Sequence, residues 1–283
     1  MKAEALKARI KAIAQERKKS HNEIWKQLLL ERFLARLSHS NQHDKFIFKG
    51  GLLLAQYLAI GRETTDADFL VNKMKSETAA IETSLREVVA IDLNDDFTFT
   101  WGDIENLIQP HMEYAGFRVT FNVSLEKMKD RIQIDLGVGD AVDAIQNQFR
   151  PFEYKGKPIF EGEISLLTYP VETIFAEKFE TIISKGATNS RMKDYHDVIL
   201  MSREPNLIDS EKLRNDISQT FAHRGTLLTI PVSFDSEEIL ALQKLWTQHL
   251  RGLGESGAKL NLPKQMSDVL NEMNAWIAKR LRS

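Results

Sequence analysis

Cysteine is absent from the 283 residues, so the chain has no disulfide, no thiolate nucleophile and no thiolate metal site. Any metal must rest on carboxylate or imidazole. Glycine and proline are sparse, at 14 and 7 residues, which excludes collagen-like and low-complexity chains. Hydrophobic residues at 42% against 28% charged give a globular balance rather than a disordered one. No apolar run approaches the roughly 18 residues that a membrane span needs. The opening MKAEALKARIKAIAQERKKS is charged and helical without an apolar centre, unlike a secretory leader. A cytoplasmic protein with no membrane partner is expected. Large charge of one sign is also missing: the net charge is -2, so nucleic acid would have to be met by a local basic patch. The length suits one large domain or two closely packed ones.

The periodicity divides the chain. From Ala3 to about Leu37, apolar and charged residues alternate at helical spacing, with Ile10, Ile13, Ile24, Leu28 and Leu29 as candidate core positions. Within this stretch the basic run 7–19 fits a solvated helix face or an RNA-facing stripe. After the polar break SHSNQHDK, FIFKGGLLLAQYLAI reads as a short strand, a Gly-Gly turn and a buried helix that Gly61 ends. TDADFLV alternates as a strand, SETAAIETSLREVVAI is helical, and FTFTW and FRVTFNVSL are rich in β-branched and aromatic residues. DRIQIDLGVGD is the last clear strand, and from YPVETIFAEKFETIISKG onward the pattern is mostly helical. RGLGESGAKLNLPK, residues 251–264, reads as a mobile loop, and there is no internal repeat.

The chemistry begins at Asp66 and Asp68. Spaced i, i+2 on a strand, they point to one face, where two carboxylates repel unless a cation lies between them. An all-oxygen pair suits Mg²⁺. Gly50 and Gly51, lacking Cβ atoms, let a strand-to-helix turn bring backbone N–H groups and a helix N-terminus to a phosphate. A third carboxylate, Asp135, sits mid-strand among apolar neighbours, where an isolated charge is costly. Taken singly, D-x-D fits a solvent-facing strand edge, Gly-Gly a plain turn and a lone Asp a cap. Their order, strand–GG–helix, then D-x-D on a strand, then D on a later strand, is what points to one site. His111, His196 and His223 lack metal-ligand spacing and are expected at the surface or in packing. Trp246 and Trp276 lie in amphipathic helical patterns that predict core positions.

With these residues in place, the chain resembles the nucleotidyltransferase superfamily, the fold of polymerase β and the tRNA CCA-adding enzymes. Gly50, Gly51, Asp66, Asp68 and Asp135 fit its hG[GS], D-x-D and later-Asp pattern. FKGGLLL…GRETTDADF is similar to the K-G-G…R-x-T-x-D-h-D-h signature of the AbiEii/AbiGii-type toxin nucleotidyltransferases, carried by Lys49, Arg62, Thr64, Asp66 and Asp68. A second block, residues 169–200, resembles that family's A-E-K helix and S-R-x-K-D run through Glu177, Lys178, Arg191, Lys193 and Asp194, and FAHRGT at 221–226 also matches. Leu52 departs from the Thr or Ser that commonly follows the second glycine.

The resemblance implies an α+β fold: a polymerase β-like core with a mixed sheet and flanking helices, plus a helical C-terminal region. The expected divisions are an N-terminal helical segment at 1–40, the nucleotidyltransferase core at 41–165, and a helical domain at 166–283 that completes the active site. It implies Mg²⁺-dependent transfer of a nucleoside monophosphate from an NTP to an acceptor hydroxyl, with tRNA as the acceptor, an antitoxin as partner and phage defence as setting. A protein or small-molecule acceptor, and a non-catalytic binding module, are the alternatives. Asp66, Asp68 and Asp135 would hold the metal, with Asp135 easing deprotonation of the acceptor; Lys178 and Asp194 would be catalytic. Gly50, Gly51, Arg62, Thr64, Arg191 and Lys193 would bind nucleotide, while Arg62 and Arg191 equally fit partners that hold aspartates in place. Asp194 also fits an ion pair with Lys193 or Arg191.

Overall fold

Residues 3–74, 77–107, 116–140, 142–160 and 162–282 are described by a computed structural model. They form two units, 1–53 with 63–169, and 54–62 with 170–283. The expected His111 position lies outside the described residues.

In the first unit, strands β1 (Phe46–Lys49), β2 (Asp66–Val71), β3 (Thr98–Leu107), β4 (Gly116–Leu125) and β5 (Met128–Gly137) follow the β-branched and aromatic runs read from sequence. Four more follow: β6 (Ile145–Phe149), β7 (Glu153–Tyr154), β8 (Lys157–Pro158) and β9 (Ile164–Thr168). The order β3-β4-β5-β2-β1-β9-β6 makes one seven-stranded sheet, and β7 and β8 form a separate hairpin. The sheet is mixed: β2 runs parallel to β5 and β1 parallel to β9, and the other pairs are antiparallel.

One sheet face is apolar and carries the core. Helix α1 (Ala3–Arg17) packs on α2 (His21–His39), and α2 and α4 (Thr78–Val89) cover that face. Ser20 caps α2 by accepting from Glu23 N, which satisfies one orphan donor of the first turn. Phe33 of α2 lies 6.1 Å from the Phe69 ring and 5.7 Å from Phe121. Arg9 and Arg17 of the basic run sit over the Tyr154 and Phe152 rings, and Lys7 and Lys11 stay exposed. Helix α3 (Gly50–Tyr57) starts at the first glycine and ends four residues before Gly61.

Sequence reading missed the strands after β5. β9 is only five residues long, so its period-2 signal is short, and its pairing with β1 is non-local.

The second unit is helical: α5 (Val171–Lys185), α6 (Met192–Arg203), α7 (Ser210–His223), α8 (Ser236–Gly252), α9 (Gly254–Ala258) and α10 (Met266–Arg282). A capping box of Asp235 and Glu238 starts α8. Trp246 is fully buried and its Nε1 donates to Pro263 O at 2.8 Å. Trp276 is half-buried with its ring 5.0 Å from Phe175. The glycine-rich stretch 251–264 carries the end of α8 and all of α9 rather than a plain loop. Arg203 ties it down by donating to Leu260 O and Asn261 O. Among the described residues, no helix is long and apolar enough to cross a membrane.

Candidate active site

The polar face of the first unit's sheet is set by alternation along neighbouring strands. Asp66 and Asp68 project from β2 on the face opposite Ala67 and Phe69, and the parallel pairing sets Asp68 beside Asp135 of β5. One oxygen from each of the three half-buried carboxylates lies within 4.8 Å of the others. Three hard anionic oxygens so close fit a divalent cation of the Mg²⁺ type.

Gly50 lies at the junction of β1 and α3 with φ +76, and a Cβ built there would stand 2.0 Å from Asp68 Oδ2. Only glycine allows the first turn of α3 to come this close to the carboxylate. The start of α3 is also where free N–H groups and the helix dipole favour negative charge. Next in the chain, Gly51 and Leu52 are buried; the Leu52 side chain takes part in the core instead of offering a hydroxyl. Lys49, opposite Asp68 on β1, reaches Asp140 at 3.3 Å and Tyr169 Oη at 3.2 Å. Thr64 is buried, and its Oγ1 has no hydrogen-bond partner among the described residues.

Arg118 was not singled out from sequence. It stands opposite Asp135 on β4 and donates from Nε to Oδ1 at 2.9 Å and from the terminal nitrogen to Oδ2 at 2.8 Å. Hydrogen bonding to Asp135, opposed by partial burial, raises the guanidinium pKa further. The pair is bidentate, which fixes the orientation of Asp135. With its amide oxygen turned to the same guanidinium, Gln133 accepts from Arg118 Nε at 2.9 Å. The signal was present as a polar residue alternating within FRVTFNVSL, but its value depends on the β4–β5 register, which no local pattern supplies.

From the triad the polar face continues in rows toward the N-terminal end of β5. Gln133 pairs with Asp66 and Thr120, Arg131 with Asn122, Asn122 with Thr100, and Lys129 with Ser124. The acidic Asp103 and Glu105 occupy the outer strand β3 beside Thr120 and Arg118.

The remaining expected site residues belong to the second unit. Lys178 of α5 lies 2.8 Å from Asp197 and 3.2 Å from Asp194, both on α6 and both fully buried. Arg62 grips Asp197 with two bonds, Nε to Oδ1 at 2.9 Å and the terminal nitrogen to Oδ2 at 2.7 Å. Arg191 donates to Asp194 at 2.7 Å, so Arg191 and not Lys193 is its neighbour in charge. Lys193 is exposed on the first turn of α6. Burial alone would neutralise these groups, but the opposite charges win. Lys178 is held above its ordinary pKa by Asp197 and Asp194, Asp197 below its own by Lys178 and Arg62, and Asp194 below by Lys178 and Arg191. Asp197, missed in sequence, shares a helix face with Asp194 at i, i+3. Glu177, adjacent to Lys178, turns away and meets Arg224 at 3.0 Å; Arg224 and Thr226 of FAHRGT also bind Glu180.

Beside this cluster His196, fully buried, bonds Ile60 O at 2.7 Å through Nε2 and His249 Nε2 at 2.9 Å through Nδ1. The carbonyl needs His196 Nε2–H, so Nδ1 accepts from His249 and both rings are neutral. Burial lowers both pKa values; with the added repulsion of His196 and Arg62, that of His249 falls to about 4. The unfolded His249 takes its proton near pH 6.5, whereas the folded one resists until about 4. Stability from the pair is therefore complete above pH 6.5 and falls as acid crosses that window, by on the order of 2 kcal/mol allowing for partial exposure. Urea unfolding at pH 7 and 4.5 checks this: His249→Gln should flatten the loss, and an unchanged loss would contradict it.

Residues 32–271 match the family described as nucleotidyl transferase AbiEii toxin, type IV toxin–antitoxin system. Among solved structures, JHP933 from Helicobacter pylori is similar with 12% identity over 93% of this chain and 93% of that one, at a TM-score of 0.46. A proposed nucleotidyltransferase from H. pylori is similar with 13% identity over 93% of this chain and 96% of that one, at a TM-score of 0.43. No curated protein matches the chain.

Proposed function

The chain belongs to the AbiEii family of toxin nucleotidyltransferases, and from that premise we propose that it moves a nucleoside monophosphate from an NTP to a hydroxyl of RNA, in the first instance tRNA. The observation that carries this is the convergence of Asp66, Asp68 and Asp135 beside a glycine that abuts Asp68. The acceptor oxygen attacks the α-phosphorus, the bond between the α-phosphorus and its bridging oxygen breaks, and pyrophosphate leaves with that oxygen.

Asp66, Asp68 and Asp135 would hold Mg²⁺, which when bound neutralises phosphate charge and favours the deprotonated acceptor. The N–H groups at Gly50 and Gly51 receive phosphate oxygens at the start of α3. Arg118 keeps Asp135 oriented. Lys178, its ammonium fixed by Asp194 and Asp197, is the cation proposed to meet phosphate charge, and Arg62 and Arg191 hold those aspartates in place. The setting proposed is a cytoplasmic toxin–antitoxin pair serving phage defence, with a cognate antitoxin as partner; the type IV family description supports the antitoxin.

Incubation with each α-labelled NTP, Mg²⁺, total tRNA and total protein, followed by gel separation, tests the acceptor. Label in the RNA band is expected; label in protein alone would overturn the RNA assignment. Gly50→Ala should lower transfer about 100-fold by displacing Asp68, since misplacing a reacting group by about 1 Å costs that much. Wild-type turnover by Gly50→Ala would contradict the close approach.

A further inference from the structure

Resting on that transfer reading, we infer that the sheet face running from the aspartates along β5 is the track for the acceptor strand, with Arg131 and Lys129 as its phosphate contacts. The triphosphate end of the site lies on the β1 side, where Gly50 touches Asp68. On the other side the same face continues through Gln133 to Arg131 and Lys129. At about 3.3 Å per residue, Arg131 stands about 13 Å and Lys129 about 20 Å along the strand from Asp135. The two cations are thus about 6.6 Å apart, a spacing that suits successive phosphates of an extended single strand whose 3′ hydroxyl lies at the aspartates.

Three further facts favour nucleic acid as occupant. Lys129 and Arg131 are exposed, and among the described residues neither has an ion-pair partner. Together with Thr100, Asn122 and Ser124 they line a cavity of about 630 Å³, whose hydroxyl and amide groups suit ribose and base edges. Asp130, which also lines this cavity, is ion-paired with Lys26 at 2.7 Å, and Asp103 and Glu105 on β3 repel a phosphate chain from the outer edge and keep it over β5. A chain of net charge -2 thus presents a local positive track where the acceptor must enter.

The test is fluorescence anisotropy of an 8-nucleotide single-stranded RNA, alongside kinetics, for wild type and a Lys129→Ala, Arg131→Ala double variant whose fold is checked by thermal unfolding. Losing two single-strand phosphate contacts should weaken binding about 25-fold at about 0.1 M salt and reduce the slope of log K against log salt by about 1.4. The KM for RNA should rise in parallel while the KM for NTP stays unchanged. Wild-type binding by the double variant, a rise in the NTP KM alone, or equal competition by an acidic peptide of the same charge would overturn the track. RNA binding lost as expected, with no transfer by wild type, would instead sink the transfer reading and leave the track standing.

Discussion

Replacing Asp66 and Asp68 together by alanine should abolish transfer while leaving the fold intact. The two carboxylates are half-buried and share one face, so they repel each other. Their removal relieves that repulsion, and the thermal midpoint should stay within a few degrees of wild type. Activity responds differently. A cation held at developing phosphate charge supplies several kcal/mol, which at about 1.4 kcal/mol per decade is a loss on the order of 1,000-fold or more. An assay of label incorporation with parallel unfolding curves checks both halves. A stable double variant retaining a tenth of wild-type activity would remove these residues from the chemistry.

Asp197→Ala should do the reverse, acting first on stability. Its carboxylate is fully buried and takes two bonds from Arg62 and a contact from Lys178. Deleting it removes the carboxylate that a largely buried guanidinium and a buried ammonium share, and breaking such a buried pair costs about 3–5 kcal/mol. Arg191→Ala is the internal comparison, since the Arg191 side chain is 49% exposed and its loss should cost under about 1 kcal/mol. Denaturant unfolding of both variants measures the contrast, and equal, small losses would show that the cluster is not held as these distances indicate.

The contrast between the two sites explains what could be read from sequence. The triad was legible because its signals are local. The D-x-D spacing puts two side chains on one strand face, a glycine pair precedes a buried helix, and Asp135 sits inside an apolar run. The sheet that unites them was legible in part: β1 is a short apolar run before the glycines and β2 to β5 alternate, whereas β6 and β9 are five residues each, and the places they take depend on pairing across the chain. Arg118 and Asp197 were missed for related reasons. Arg118 acquires its role only from the β4–β5 register, and Asp197 only from Lys178 on another helix and Arg62 far upstream. Leu52 is the reverse case, a departure visible in the sequence whose outcome needed the fold: it is core, and backbone N–H groups alone remain at that turn for phosphate.

The most direct test of the central claim is to supply the protein, Mg²⁺ and tRNA with the same NTP labelled either on its α-phosphate or on its γ-phosphate. Nucleotidyl transfer predicts that the α-label enters RNA and the γ-label leaves entirely as pyrophosphate, both lost in the Asp66→Ala, Asp68→Ala variant. Entry of the γ-label into any acceptor, or incorporation of the α-label that survives the double substitution, would contradict it.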